Sequence, residues 1–311
     1  MPDNPEANDR PVIAVSDSPP AWLPEAISAG GCQVGPLADA DGYVHLTGPA
    51  SLPHLPARVR WVQLPAAGIE TYLADGRLDD RRVWTSAAGA YSETVAEHAV
   101  GLLLAGVRGL VVAAGLRTWR GKAVADTVSG LADTTIAVVG AGGIGRRVVE
   151  MLAPYRATVI AVNRSGRDVP GADRTVAAAD LDELWDQVDH VVIAAPQTSH
   201  TVRLIDAAVL ARLRPRTWIV NVARGGLIDT DALVDALAGG RIAGAALDVT
   251  DPEPLPDGHP LWTTPGVLIT PHAANPRAGL EAALADRVRD NATRFASGRD
   301  LIGRIDLTAG Y

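Results

Sequence analysis

The stretch TTIAVVGAGGIGRRVVEMLAPYRATVIAVNRSGR, from Thr134 to Arg167, decides the fold. The apolar run from Ile136 to Val139 is typical of a buried strand, and a helical pattern and a second apolar run from Thr158 to Val162 follow it. Between the strand and the helix lies Gly140-Ala141-Gly142-Gly143-Ile144-Gly145, which has the spacing G-x-G-x-x-G. Because a strand precedes this loop and a helix begins in it, the stretch predicts the first strand–helix–strand unit of a dinucleotide-binding sheet.

This glycine loop is predicted to bind the phosphates of the cofactor. In such loops one glycine makes the tight turn, one lets the backbone approach the pyrophosphate, and one allows close packing of helix on strand. The N-terminus of the helix adds N–H donors and a positive partial charge. We therefore expect the cofactor contacts to come from Gly140, Gly142, Gly143, Ile144 and Gly145.

The end of the second strand favours NADP(H) over NAD(H). An acidic residue at this position binds both ribose hydroxyls and repels a 2′-phosphate, but here the chain has Asn163. Arg164 and Arg167 follow, and their guanidinium groups are suitable donors to a phosphate dianion. NAD(H) remains the alternative cofactor, because a basic loop of this kind is also compatible with simple solvation.

Strand and helix patterns continue to alternate after this unit, which is typical of one doubly wound sheet. The further strands are predicted at Val191–Ala194, Trp218–Val222, Gly244–Asp248 and Val267–Thr270.

A second α/β series precedes the glycine loop. Strands are predicted at Pro11–Asp17, Gly42–Gly48 and within Val59–Glu70, which ends in a loop of small residues. A long helix is predicted from Ser92, where it would connect two domains, and a long amphipathic helix from Arg277 to Gly298.

Composition and charge exclude several classes of protein. The 311-residue chain is 47% hydrophobic and 21% charged, with a net charge of -8, which argues against nucleic acid or an anionic membrane as the main partner. The polar start MPDNPEANDRP does not resemble a secretory signal, and the single Cys32 cannot form an internal disulfide. The apolar segment Ala99–Leu116 carries Arg108 at its centre, which favours a buried or interface helix over a membrane span. We therefore expect a cytoplasmic protein.

Polar residues follow three of the predicted strands in the second half of the chain. Arg224 lies in WIVNVARGGLIDTDAL, Asp248 and Glu253 lie in AALDVTDPEPLPDGHPLW, and His272 lies in VLITPHAAN. Because the carboxyl ends of parallel strands line the ligand crevice of a doubly wound sheet, we expect these side chains to converge.

These residue types suit hydride transfer to a carbonyl. A guanidinium can bind a substrate carboxylate and polarise the adjacent carbonyl. An imidazole can give that oxygen a proton and take it back in the reverse direction, and a nearby carboxylate would hold the ring and favour its protonated form. No metal site is predicted.

The motifs together resemble the D-isomer-specific 2-hydroxyacid dehydrogenase family. The resemblance rests on VAEHAVGLLLA, AVVGAGGIG, VNVARGGLIDTDAL, LDVTDPEPLPDGHPLW and ITPHAAN, and it extends from about Gly68 to about Asn275. It implies an α/β protein with two doubly wound parallel-sheet domains, a Rossmann NAD(P)-binding domain inserted in a flavodoxin-like substrate domain. The implied boundaries are 1–98 for the N-terminal part of the substrate domain, 99–276 for the cofactor domain, and 277–311 for the C-terminal helix and tail that return to the substrate domain.

The resemblance also implies roles for particular residues. Arg224, Glu253 and His272 match the catalytic residues of the family, and Asp248 matches the residue that orients the nicotinamide carboxamide. The positions that match the lining of the cofactor site are Ala195, Pro196, Val222 and Ala223. The loop PAAGIE resembles the family's substrate loop, in which backbone N–H groups near Ala67, Gly68 and Ile69 would bind the substrate carboxylate together with Arg224.

The expected activity is reduction of a small 2-oxo acid to a 2-hydroxy acid by an NAD(P)-dependent homodimer. Asn163 gives the chain the character of the NADP-dependent glyoxylate and hydroxypyruvate reductases. The alternative is a dinucleotide-sensing binding protein that resembles the C-terminal-binding-protein corepressors, which keep the same three catalytic residues.

Overall fold

The computed structural model describes residues 10–311, without the side chains of residues 123, 277 and 278. The strands are β1 (Val12–Val15), β2 (Gln33–Val34), β3 (Gly42–Val44), β4 (Trp61–Gln63), β5 (Val83–Thr85), β6 (Thr135–Val139), β7 (Thr158–Asn163), β8 (Arg174–Ala177), β9 (His190–Ile193), β10 (Trp218–Asn221), β11 (Gly244–Leu247) and β12 (Val267–Ile269). The α-helices are α1 (Trp22–Ala29), α2 (Glu70–Ala74), α3 (Ser92–Val107), α4 (Leu110–Gly115), α5 (Gly121–Ala125), α6 (Gly143–Leu152), α7 (Ala207–Arg212), α8 (Thr230–Ala238) and α9 (Arg277–Ala296).

Internal contacts divide the chain into two compact units. Among the described residues, the first unit consists of residues 10–91 together with Arg277–Tyr311, and the second unit is Ser92–Pro276. The boundary that the sequence suggested, between residues 98 and 99, falls inside the continuous helix α3, which belongs to the second unit as a whole.

The first unit contains a parallel five-stranded sheet in the order β2-β1-β3-β4-β5, the flavodoxin-like order. Helix α9 packs against α1, and buried side chains of the two helices share one core. Asn291 of α9 is fully buried, and its amide group donates to the Gln63 side chain at 2.9 Å and to the Ile302 carbonyl at 3.0 Å. The Ile302 N–H in turn donates to Asn291 Oδ1 at 2.8 Å, so α9 is attached to β4 and to the tail by one side chain.

The second unit contains a parallel seven-stranded sheet in the order β12-β11-β10-β9-β6-β7-β8. Chain order reverses between β6 and β9, which are neighbours in the sheet although β7 and β8 separate them in sequence. This is the Rossmann arrangement, and ligands bind outside the carboxyl ends of the strands at such a reversal. The predicted fold class is therefore confirmed: a Rossmann unit is inserted in the sequence of a flavodoxin-like unit.

The sequence patterns missed β2, β5 and β8, which are all edge strands. Both residues of β2 are exposed, and only Val176 of β8 is fully buried, so neither strand shows an apolar run. An edge strand has a single partner and needs less apolar surface than a central strand. The six strands predicted from Ile136 onward are present, with ends that differ by one residue at most.

The apolar segment Ala99–Leu116 is not a single helix. Helix α3 ends at Val107, Gly109 adopts a left-handed conformation with φ of 66°, and the short helix α4 begins at Leu110. The α3 part is largely buried within the second unit, whereas Leu110 is 55% exposed. Within residues 10–311, no helix is both long enough and apolar enough to cross a membrane.

Candidate active site

The glycine loop joins β6 to α6 with geometry that suits a dinucleotide. Gly140 has φ of 98°, and a Cβ atom on it would lie 2.3 Å from the backbone nitrogen of Ala195, so this position requires glycine. Gly142 caps the ten-residue helix α6, and a Cβ atom there would meet nothing within 4 Å. The first N–H groups of a helix have no partner within it, so α6 presents donors to open space beside Gly142. Gly143 and Ile144 form its first turn, and Gly145 is buried. These residues fit the pyrophosphate of the expected cofactor.

The turn after β7 is organised by Asn163. Its amide group donates to the Arg167 carbonyl at 2.6 Å, and its Oδ1 accepts from the Ser165 N–H at 3.1 Å. The Asn163 side chain is therefore used within the turn, as is common for an asparagine at the start of a loop. Arg164 and Arg167 lie on this turn at the carboxyl end of β7, where the predicted ribose site falls.

The other residues predicted to line the cofactor site lie at the ends of β9 and β10. Ala195 is buried and Pro196 is exposed just after β9, and Val222 and Ala223 are buried just after β10. Because β6, β9 and β10 are adjacent and parallel, these segments lie along the same edge of the sheet as the glycine loop.

Arg224 is placed by Asn221, a residue that the sequence patterns did not single out. Asn221 is fully buried at the end of β10; its amide donates to the Arg224 carbonyl at 2.8 Å, and its Oδ1 accepts from the Ala223 N–H at 3.0 Å. Gly225 directly follows Arg224, and a Cβ atom on Gly225 would lie 2.0 Å from the Thr250 carbonyl carbon. Only glycine therefore allows the Arg224 turn to lie against the loop that leads to Glu253.

Asp248 holds the loop that carries His272. Asp248 is buried at the end of β11, and its Oδ1 accepts from the Thr270 hydroxyl at 2.7 Å and from the Ala273 N–H at 2.8 Å. Its Oδ2 accepts from the Ala274 N–H at 3.2 Å. Burial alone would raise the pKa of Asp248, but hydrogen bonds from His98, Thr270 and the two backbone N–H groups outweigh it and lower the pKa. The carboxylate is therefore ionised and accepts on both oxygens at neutral pH.

Glu253 and His272 form a direct pair. Nδ1 of His272 lies 2.7 Å from Oε1 of Glu253, although the two residues are on different loops. His272 has φ of 50°, and its N–H is within 2.8 Å of the carbonyls of both Asp248 and Thr270. The side chain of His272 is 55% exposed, so the imidazole is accessible to a ligand.

Arg224 lies beside this pair. One depression of about 350 Å³ in the second unit brings together the three predicted catalytic side chains with five neighbours. It is lined by Gln197, Arg224, Gly225, Gly226, Thr250, Asp251, Glu253 and His272. Gln197 follows the end of β9 and, like Asn221, gave no signal in the sequence, because an isolated amide residue after a strand is common in loops.

The predicted substrate loop belongs to the first unit. Ala67 is exposed, Gly68 is partly buried and Ile69 is buried in the core, and the three residues lie between β4 and α2. The described residues contain no group of three or more His, Cys, Asp or Glu side chains that could hold a metal ion.

Comparison with known proteins identifies the family. The model of the D-isomer specific 2-hydroxyacid dehydrogenase NAD-binding domain matches residues 94–274. The chain is 42% identical over 289 residues to an uncharacterized protein in the proB 3′ region of Corynebacterium melassecola, with 92% of this chain and 95% of that protein covered. It is 37% identical over 204 residues to the D-3-phosphoglycerate dehydrogenase of Mycobacterium tuberculosis, with 63% of this chain but only 38% of that enzyme covered.

A solved structure with a similar fold is the NADPH-dependent glyoxylate/hydroxypyruvate reductase of Sinorhizobium meliloti, in complex with NADP and sulfate. The identity is 26% and the TM-score 0.76, with 97% of this chain and 100% of that chain covered. The family model matches more than half of the chain, and it falls on the unit that contains the glycine loop and the Glu253–His272 pair. The protein therefore belongs to the D-isomer specific 2-hydroxyacid dehydrogenase family of NAD(P)-dependent oxidoreductases.

Proposed function

We propose that the protein reduces a small 2-oxo acid to the corresponding 2-hydroxy acid, with NADPH as the preferred cofactor. The observation that carries this proposal is the Glu253–His272 pair, at 2.7 Å, in the same depression as Arg224. An acid–base pair beside a fixed guanidinium is suited to a carbonyl that has a neighbouring carboxylate.

Arg224 binds the substrate in this proposal. Its guanidinium forms charge-assisted hydrogen bonds with the carboxylate and polarises the 2-oxo group. Asn221 fixes the backbone of Arg224, so the guanidinium is presented from a rigid turn. Backbone N–H groups of Ala67, Gly68 and Ile69 are proposed as further donors to the carboxylate, as the family resemblance implies.

His272 is the acid–base residue in this proposal. Glu253 accepts from Nδ1, which leaves Nε2 to exchange a proton with the substrate oxygen. A reduced nicotinamide held beside the glycine loop would supply the hydride equivalent that C2 of the 2-oxo acid needs. His272 gives its Nε2 proton to the carbonyl oxygen, the C=O π bond becomes a C–O single bond, and a 2-hydroxy acid results. In the reverse direction His272 takes the same proton back.

The cofactor preference rests on the turn Asn163–Arg167. An asparagine in place of an acid removes the repulsion of a 2′-phosphate, and Arg164 and Arg167 offer positive charge at the end of β7. Both oxygens of Asp248 accept hydrogen bonds from the 270–274 loop, so we propose that Asp248 acts mainly by holding this loop. Its contact with the nicotinamide carboxamide stays a prediction.

The test is a panel of 2-oxo acids with NADPH and NADH in parallel. Glyoxylate, hydroxypyruvate, pyruvate and larger 2-oxo acids at millimolar concentration are mixed with the protein, and oxidation is followed by nicotinamide absorbance. We expect turnover of at least one 2-oxo acid and a higher kcat/KM with NADPH. Turnover that is equal or faster with NADH would contradict the cofactor proposal.

The rival function is a dinucleotide-sensing binding protein. A sensor would keep the glycine loop and bind cofactor, but would oxidise NADPH with none of the acids. Cofactor binding, measured by nicotinamide fluorescence on the same preparation, separates a sensor from an inactive preparation. The homodimer and the cytoplasmic location are further predictions, to be tested by light scattering and by cell fractionation.

A further inference from the structure

We propose that His98 of helix α3 is a positioning residue for His272, and that it acts by donating a hydrogen bond to the Thr270–Asp248 pair beneath the His272 loop. The inference rests on the proposed role of His272 as the acid–base residue. His98 lies 174 positions before His272, in a helix that carries none of the predicted catalytic residues.

The geometry joins three side chains from three elements. Nε2 of His98 lies 2.9 Å from Oγ1 of Thr270 and 3.3 Å from Oδ1 of Asp248. The Thr270 hydroxyl is itself 2.7 Å from the same Asp248 oxygen. Asp248 is 3% exposed and the His98 side chain 25% exposed, so the cluster is largely shielded from water.

The direction of these hydrogen bonds follows from the charge on Asp248. The lowered pKa of Asp248 means that its carboxylate is ionised and can only accept. The Thr270 hydroxyl has one hydrogen, which it donates to Asp248, so its oxygen accepts from His98. His98 therefore carries its hydrogen on Nε2 and donates it to Thr270, with Asp248 as a longer second acceptor.

Helix α3 contacts the His272 loop at a second point. Thr94 lies one helical turn before His98, on the same face of α3, and its hydroxyl donates to Oδ1 of Asn275 at 3.3 Å. Thr270 and Asn275 lie on either side of His272. The loop is therefore held at both ends by one face of α3.

His272 needs such support because of its backbone conformation. A φ of 50° is unfavourable for a residue other than glycine and persists only where the surroundings impose it. Half of the imidazole is exposed, so packing does not fix the ring. Glu253 contacts the ring at Nδ1, and the hydrogen bonds of the 270–275 loop hold the backbone that carries the ring. His98 supplies one of these loop bonds from a separate element, helix α3.

Histidine-ring NMR tests the proposal without any activity assay. The chain has seven His residues, and the His272 signal is assigned as the one missing from His272→Asn. We expect the His272 signal to shift or broaden in His98→Leu and to return to the parent position in His98→Gln, because a glutamine amide can place an N–H where Nε2 lies. Glu97→Leu, an exposed position on the same helix, is the matched control and should leave the signal in place. An unchanged His272 signal in His98→Leu would overturn the proposal.

Kinetics give the second readout. We expect kcat with the preferred 2-oxo acid to fall about 10-fold in His98→Leu, with KM for that acid changed less than about 2-fold, because the loss is one of alignment and not of binding. His98→Gln should recover most of kcat. An equal loss of kcat in His98→Gln and His98→Leu would also overturn the proposal, since it would indicate a packing role.

The design also covers two other outcomes, a variant that does not fold and a parent protein without activity. If His98→Leu does not fold, His98→Asn, whose amide is too short to reach Thr270, takes its place in both comparisons with His98→Gln. If the parent protein reduces no 2-oxo acid, the proposed function fails, but the NMR comparison still decides whether His98 positions His272.

Discussion

At the scale of single residues, His272 combines an accessible ring with a backbone that is held on several sides. Glu253 contacts Nδ1 directly, whereas Asp248 and Thr270 hold the backbone N–H. The ring orientation and the loop position therefore depend on different residues. Substitutions of the two kinds should affect the reaction to different degrees.

We expect His272→Asn to lower kcat about 10²- to 10⁴-fold, since it removes the proton donor. Glu253→Gln should lower kcat less, about 10-fold, because the amide keeps the shape but cannot stabilise a positively charged ring. Cofactor binding, followed by nicotinamide fluorescence, should be within about 2-fold of the parent value in both variants, since neither residue lies in the glycine loop. A His272→Asn protein that keeps most of its kcat would contradict the acid–base assignment.

Asn221 should matter for substrate binding although it contacts no substrate in the proposal. Asn221→Ala removes both hydrogen bonds that fix the Arg224 turn. We expect KM for the 2-oxo acid to rise about 10-fold, which corresponds to about 1.4 kcal/mol, while KM for NADPH changes little. Thr264→Ala serves as the comparison, because its hydroxyl bonds to the Pro260 carbonyl and the residue does not line the depression. An unchanged KM in Asn221→Ala would show that Arg224 is held by other contacts.

At the scale of elements, the turn after β7 should set the choice of cofactor. Arg164→Ala should lower kcat/KM for NADPH about 10-fold and change kcat/KM for NADH less than about 2-fold, because only NADPH carries the 2′-phosphate. Arg241→Ala controls for the loss of one positive charge, because Arg241 is an exposed residue of the same unit that lies in the loop after α8. A parallel loss with both cofactors would place Arg164 outside the 2′-phosphate site.

Helix α9 should stabilise the first unit through Asn291. Asn291→Leu leaves the Gln63 side chain and both backbone groups of Ile302 without this partner in a buried place. We expect the free energy of unfolding to fall by about 2–4 kcal/mol in a urea titration. Thr293→Ala on the exposed side of α9 should cost less than about 0.5 kcal/mol. A similar loss in both variants would indicate a general effect on the helix.

At the level of elements, sequence reasoning found every central strand, and the three strands that it missed, β2, β5 and β8, are all edge strands. The central strands β6, β9 and β10 are buried on both faces and mostly apolar, because helices cover a parallel sheet on both sides. The edge strand β2 is two residues long and exposed, so its pattern resembles a loop. We also expected residues that follow the carboxyl ends of parallel strands to converge, and Arg224, Glu253 and His272 do line one depression. The sequence patterns did not identify the roles of His98 and Asn221, since a polar residue that supports a loop has no sequence pattern of its own.

At the scale of the whole molecule, stability should depend on pH through His190, which is 1% exposed in the central strand β9. Burial is the main cause that lowers the pKa of His190 to about 4. The negative charge of Asp189 raises this pKa by a smaller amount, and the positive charge of Arg216 lowers it further. In the unfolded chain a histidine has a pKa of about 6.5. As the pH falls, the unfolded chain therefore binds this proton first, so stability is complete above about pH 6.5 and is lost between about pH 6.5 and pH 4.

The loss should amount to about 3 kcal/mol across that range. His190→Asn cannot titrate but keeps an acceptor near the position of Nδ1, which lies 3.3 Å from the Trp218 N–H. Urea titrations at several pH values should give a flatter pH dependence for His190→Asn than for the parent, whatever its stability at pH 7. Equal slopes would mean that other groups cause the loss. Asp189 and Asp248, whose pKa values are lowered, should add a further loss only below about pH 4.

The division of the chain also has a consequence for its synthesis. The chain leaves the first unit after Tyr91 and returns to it at Arg277. The buried face of α1, which includes Leu23 and Ile27, packs against α9. At about 5–20 residues per second, a ribosome takes roughly 10 to 40 s to translate the segment between these points. During that time the nascent first sheet lacks its covering helix, and by the end of it every strand of the second unit has been synthesised. We therefore expect the Rossmann unit to fold first and the early strands to depend on chaperones until α9 emerges.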